Sequence, residues 1–153
     1  MPPLKVALIS CCALLACNVY GQVQTDNIQF KSEEKKVEDE VSREINRVID
    51  SFLTAIRQGA ASQAYYAYTS FEFRQTTPFK NFKDFLERYP SIGRNRDVVV
   101  ISVPHFDNLG TLTGYATSTD GYENVVSFDV IYEVQKWRIL GIQVYSKRPP
   151  LDE

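Results

Sequence analysis

The chain has 153 residues, 44% of them hydrophobic and 24% charged, a globular composition sized for one ordinary domain with one core. A formal net charge of -2 leaves no basic excess, so nucleic acid is not expected as a partner. There is one histidine, and the three cysteines all fall within the first 17 positions, so paired-histidine, Cys-His and Cys-Cys metal sites and disulfides are not expected beyond them.

Lys5 precedes the apolar run Val6 to Ala16, "VALISCCALLA". That length suits the core of an export signal and is too short to span a bilayer as a mature helix. The run ends in Leu14-Leu15-Ala16-Cys17, which resembles the lipobox of bacterial lipoproteins, where the cysteine is acylated and becomes the first residue after cleavage. The resemblance implies a signal peptide over residues 1–16, lipidation at Cys17 and a membrane-anchored protein facing the periplasm. Asn18 after the cysteine favours the outer membrane under proteobacterial sorting. The alternative is a plain secretory signal cut before Gln22, which would release a soluble protein.

Residues 17–31 are polar and lack sustained periodicity, so they read as anchor and tether to a domain over 32–146, with 147–153 as a tail. From Ser32 the period becomes helical: Val37, Val41, Ile45, Val48, Ile49, Phe52, Leu53 and Ile56 share one face. Gly59 supplies the stop. A second helix is expected over Ala60 to Thr69, where Tyr65, Tyr66 and Tyr68 cannot all face inward. A third opens with Thr77 as cap and Pro78 in the first turn, and buries Phe79, Phe82, Phe85, Leu86 and Tyr89 until Pro90.

After "SIGRNRD" the period becomes two. Strands are expected at Val98 to Phe106, Thr111 to Thr119, Glu123 to Val134 and Trp137 to Tyr145, joined by Asn-Leu-Gly, Asp-Gly and Gln135-Lys136 turns into an antiparallel meander. Pro104 and Gly114 mark a bulge, bend or edge. In the last strand strict alternation puts Trp137, Ile139, Gly141 and Tyr145 on one face and Leu140, Ile142 and Val144 on the other, so it is expected to be covered on both sides. The fold class is α+β: three N-terminal helices packed on a curved four-stranded antiparallel sheet.

"FLTAIRQG", "AYYAYTSFEFR", "TPFKNFKDFLERYP" and the closing "YEVQKWRILGIQV" together resemble the nuclear transport factor 2-like (cystatin-like cone) superfamily over about Lys36 to Tyr145. The resemblance implies a cone whose mouth lies between the helices and the concave sheet face, and dimerisation through the convex face. It hands over no residue with a known role, because this fold hosts isomerases, dehydratases, adaptors and binding modules. Tyr65, Tyr66, Phe73, Phe128 and Trp137 are the candidate pocket-lining residues.

Two polar residues are weak candidates for catalysis. His105 stands near a strand end beside Asp107, a pairing that could serve as base and orienter. Asp129 resembles the strand aspartate base of ketosteroid isomerases, yet alternation sends it outward wherever Phe128 and Val130 point inward. No serine nucleophile elbow, phosphate loop or carboxylate-dense metal loop occurs, and no cofactor is expected. The expected function is a noncatalytic exported lipoprotein, a binding or assembly module of the cell envelope for an apolar small molecule, an envelope protein or a second copy of itself. The alternative is a small isomerase or dehydratase using Asp129 or His105.

Overall fold

The computed structural model describes residues 40–146. The expected signal peptide, Cys17, the tether, the start of the first helix at Ser32 and the tail over 147–153 lie outside the described residues. Helix α1 runs over residues 40–57 and buries Ile45, Ile49, Phe52, Leu53 and Ile56, the stripe its spacing predicts. It ends where Gly59 turns to φ 76, with Gly59 N donating to Ile56 O at 2.9 Å and Ala60 N to Ala55 O at 2.9 Å. Those two bonds satisfy carbonyls the helix would otherwise leave open.

Four further helices follow: α2 (Ala61–Tyr68), α3 (Phe71–Thr76), α4 (Phe79–Arg88) and α5 (Pro90–Gly93). The expectation of three helices is therefore corrected. Helices α3 and α5 are six and four residues long, too short to display a period of 3.6. Helix α3 begins because Ser70 Oγ accepts from Phe73 N at 3.0 Å, and Pro90 opens α5 instead of merely ending α4.

The sheet has five antiparallel strands in the order β1-β3-β4-β5, with β2 also paired to β3. They are β1 (Asn95–Ser102), β2 (His105–Phe106), β3 (Leu109–Ser118), β4 (Glu123–Glu133) and β5 (Lys136–Ser146). The run expected as one first strand is split because Val103 and Pro104 leave the ladder, proline having no N-H to give it. The last turn is also corrected. Glu133 pairs with Lys136, so the two-residue turn is Val134-Gln135, both left-handed at φ 47 and 60. That backbone matches the twist of the flanking strands.

One face of the sheet carries Leu112, Ala116, Val126, Phe128, Val130, Trp137 and Ile139, all buried beneath the helices. On β5 strict alternation fails. Asp129 pairs with Gly141 while Val130 pairs with Ile139, so Leu140 is an extra residue in a bulge. Beyond it the faces exchange, and Ile142 and Val144 join Trp137 and Ile139 on the helix side, opposite Phe128 and Val126. The strand expected to be covered on both faces is therefore covered on one. Trp137 faces the core and meets Tyr132 edge-on at 5.4 Å.

Candidate functional site

Between helices and sheet, where the resemblance implies a pocket, the space around Phe52, Phe82 and Phe128 is filled. Phe52 and Phe82 lie 6.1 Å apart between ring centroids, Phe52 and Phe128 6.3 Å, Tyr65 and Phe82 5.4 Å, and Phe73 and Phe82 6.2 Å. Phe52, Phe82 and Phe128 have no exposed surface. Tyr65, Phe128 and Trp137 are thus core residues rather than pocket walls, and the Tyr65 hydroxyl is spent on Thr77 O at 2.7 Å. Tyr66 is 60% exposed, lying across Tyr65 and Phe79 on the outside. Phe73 borders a cleft of about 90 Å³ shared with Thr77, Phe82, Phe85 and Ile142. Small-molecule sites usually enclose roughly 300 Å³ or more. Interlocking aromatic rings consumed the volume, a matter of three-dimensional packing that a list of apolar positions does not reveal.

The opposite face of the sheet carries a hollow of about 460 Å³. The carboxylate in its lining is Asp129, which lies between two buried neighbours, Phe128 and Val130, and therefore points away from the helices. Asp129 Oδ1 accepts from Thr111 Oγ1 at 2.9 Å, and Oδ2 accepts from Gln143 Nε2 at 3.3 Å. Thr111 and Gly141 are its direct neighbours across β3 and β5. Gly141 makes the hollow: with no side chain it leaves open the space a Cβ would take 3.5 Å from Asp129 Oδ2. The bulge adds a wall, because two residues of the bulged strand, Leu140 and Gly141, face one on its partner. Phe106 and Leu109, cross-strand partners at the end of the β2-β3 hairpin, supply the apolar rim, 80% and 49% exposed.

His105 also borders the hollow, yet it does not converge on Asp129. It pairs with Gly110, which pairs with the buried Val130, and a Cβ on Gly110 would meet His105 Cβ at 3.3 Å and Ile45 Cδ1 at 2.9 Å. The His105 side chain therefore leaves the sheet on the helix side and Asp129 on the other. Asp107, the expected orienter, sits in the hairpin turn at φ 51, and no His105–Asp107 hydrogen bond forms among the described residues. A second groove of about 370 Å³ runs between α1 and β1, with Asp50, Arg57, Arg96 and Asp97 along it. No group of three or more His, Cys, Asp or Glu side chains among the described residues is arranged to hold a metal ion.

Sequence reasoning singled out Asp129 and His105 but missed Thr111, Gln143, Phe106, Leu109, Leu140 and Gly141. The available signal was Gly141 itself, since a glycine inside an apolar strand run marks a bulge.

No curated protein matches the chain. Among solved structures it is similar to a protein from Shewanella oneidensis MR-1 described as an NTF-2 like protein of unknown function, with a TM-score of 0.51 and 13% sequence identity over 68% of this chain and 98% of that one. At that identity the likeness establishes the fold, helices followed by an antiparallel sheet in the NTF-2-like arrangement. Residues 38–151 match the family model described as Domain of unknown function (DUF4864), and they contain both the filled core and the outward hollow. The chain thus belongs to the DUF4864 family and carries an NTF-2-like fold.

Proposed function

We propose that this protein is a noncatalytic, exported, lipid-anchored binding module of the cell envelope, and that its ligand site is the outward hollow beside Asp129. One observation carries the choice of site: the cone interior around Phe52, Phe82 and Phe128 is packed with aromatic rings and the groove between α1 and β1 holds about 370 Å³, while the outer face offers about 460 Å³ with a carboxylate among apolar walls. That volume and mixture of groups suit a small-molecule site. The enzymatic alternative is disfavoured by geometry, because His105 and Asp129 leave the sheet on opposite faces and, among the described residues, no second acid or base stands within hydrogen-bonding reach of Asp129. The lipid anchor rests on the Leu14-Leu15-Ala16-Cys17 run. Two or three acyl chains there would give stable membrane attachment where one would be marginal.

Native mass spectrometry of the membrane-extracted full-length chain tests both parts together. It is expected to report an acylated species beginning at Cys17 and a co-purifying small molecule. Cys17→Ser is expected to move the protein to the soluble fraction, and unchanged fractionation would sink the anchor.

A second reading, self-assembly through the same face, is favoured by a row of side chains running across the sheet. Val99, Tyr115, Val125 and Tyr145 are successive cross-strand neighbours, and Val99 is 58% and Tyr145 49% exposed. Contact between two such rows would bury apolar surface that water now covers. Sedimentation of the full-length chain is expected to show a dimer that Tyr145→Lys dissociates. A monomer at high concentration would end this reading.

A further inference from the structure

We propose that the hollow beside Asp129 takes a small amphipathic cation, an ammonium joined to an aromatic or aliphatic group. The ammonium lies against Asp129, and the apolar part lies against Phe106, Leu109 and Leu140. This assignment rests on the reading of the hollow as a ligand site and adds the chemistry of what enters it.

The charge balance points to a cation. Both Asp129 oxygens accept from neutral donors, Thr111 and Gln143, which fix the orientation of the carboxylate without compensating its charge. No Lys or Arg among the described residues pairs with it. Two cations lie on the same face of β5: Lys136 stands at the far turn opposite Glu133, and Arg138 is committed elsewhere, its Nη1 donating to Ala67 O at 3.0 Å and its Nε lying 3.7 Å from Glu133 Oε1. A carboxylate has about four lone-pair sites, so two accepted bonds leave room for donors from a ligand. An anion would meet uncompensated negative charge on the wall of the hollow.

The walls point to an apolar partner group. Phe106 and Leu109 present large hydrophobic surfaces to water directly beside the polar centre, and Leu140 is brought to the same face by the bulge. A wholly polar ligand would leave these surfaces unused. An aromatic or aliphatic group would remove them from water while its ammonium reaches Oδ2 through the gap at Gly141. Charged donor and carboxylate acceptor form the stronger class of hydrogen bond, which gives the site its preference.

Isothermal titration of the full-length chain with 2-phenylethylamine and with 2-phenylethanol, its neutral near-isostere, tests the assignment. The amine is expected to bind at least about tenfold more tightly than the alcohol, and added salt is expected to weaken the amine alone. Asp129→Asn keeps the size of the side chain and its bond from Thr111, and it is expected to erase the preference. Gly141→Val fills the hollow with a residue suited to a strand and is expected to abolish binding of both. Equal binding of amine and alcohol, or an amine affinity untouched by Asp129→Asn, overturns the cation assignment and leaves the hollow as a binding site. Absence of binding by either probe, or binding that survives Gly141→Val, overturns the site together with the assignment.

Discussion

Arg57 grips Asn95 with two donors, its Nη2 at 2.9 Å and its Nε at 3.2 Å from the same Oδ1. Asn95 is fully buried at the start of β1, and its Nδ2 donates onward to Leu53 O at 3.2 Å and Ile92 O at 2.8 Å. One side chain thus ties α1, α5 and the first strand together. Asn95→Leu removes every partner at once and is expected to cost about 2–3 kcal/mol, because buried groups left unpaired lose their full desolvation energy. Arg57→Ala is expected to cost only about 1 kcal/mol, since the arginine is exposed and water can replace it. Urea denaturation of the two variants checks the order. Equal losses would show that the asparagine does not bridge the three elements.

Two glycines of the sheet are expected to respond oppositely to the same methyl group. A Cβ on Gly114 would lie 2.6 Å from the carbonyl oxygen of Val99, where the register of β1 slips past β3 between Val100 and Ser102. Backbone cannot retreat as a side chain can, so Gly114→Ala is expected to destabilise by about 1–3 kcal/mol. At Gly141 the nearest atom is 3.5 Å away, an ordinary contact, and Gly141→Ala is expected to leave thermal stability nearly unchanged. A large loss at Gly141 would mean that the hollow is tighter than described.

The turn between β4 and β5 places Val134 and Gln135 at φ 47 and 60. A β-branched residue in the left-handed region is strained, whereas Asn-Gly adopts the same turn without strain. Val134→Asn with Gln135→Gly is expected to stabilise by about 1 kcal/mol, raising the melting temperature by about 4 °C for a domain of this size. Calorimetry reads the shift directly, and a fall would show that Val134 makes contacts that outweigh its backbone strain.

Phe128 joins the ring cluster from the sheet, 6.3 Å from Phe52, and directly precedes Asp129 in β4 while facing the other side. Phe128→Ala is expected to cost about 3–5 kcal/mol, the transfer energy of the ring plus that of the cavity it leaves. The cavity would open inside the cone, and binding at the outer hollow is expected to persist in whatever fraction remains folded. Loss of amine binding in the folded fraction would instead place the ligand in the interior.

Local chemistry carried much of the fold. The helix stripe of α1, the stop at Gly59, the aromatic face of α4, the meander and the outward direction of Asp129 all follow from spacing, because a helix or strand converts sequence intervals directly into faces. Short elements stayed illegible: α3 and α5 contain too few residues to display a period, and their starts depend on a single serine and a single proline. The bulge at Leu140 had the largest consequence. It shifts one residue in register and reverses every face beyond it, so Ile142 and Val144 join the core that alternation denies them.

The sequence by itself determined the class of fold and which residues are apolar enough to bury, and the proposed export signal ending at Cys17 rests on it alone. Tertiary structure alone decided where empty space remains. Five aromatic residues that each look like a pocket wall are four buried rings and one exposed tyrosine, because interior volume depends on how rings interlock across α1, α2, α3, α4, β4 and β5. The hollow beside Asp129 likewise exists only through strand register, which sets a glycine and a bulged leucine opposite one carboxylate from a strand whose sequence does not announce the meeting.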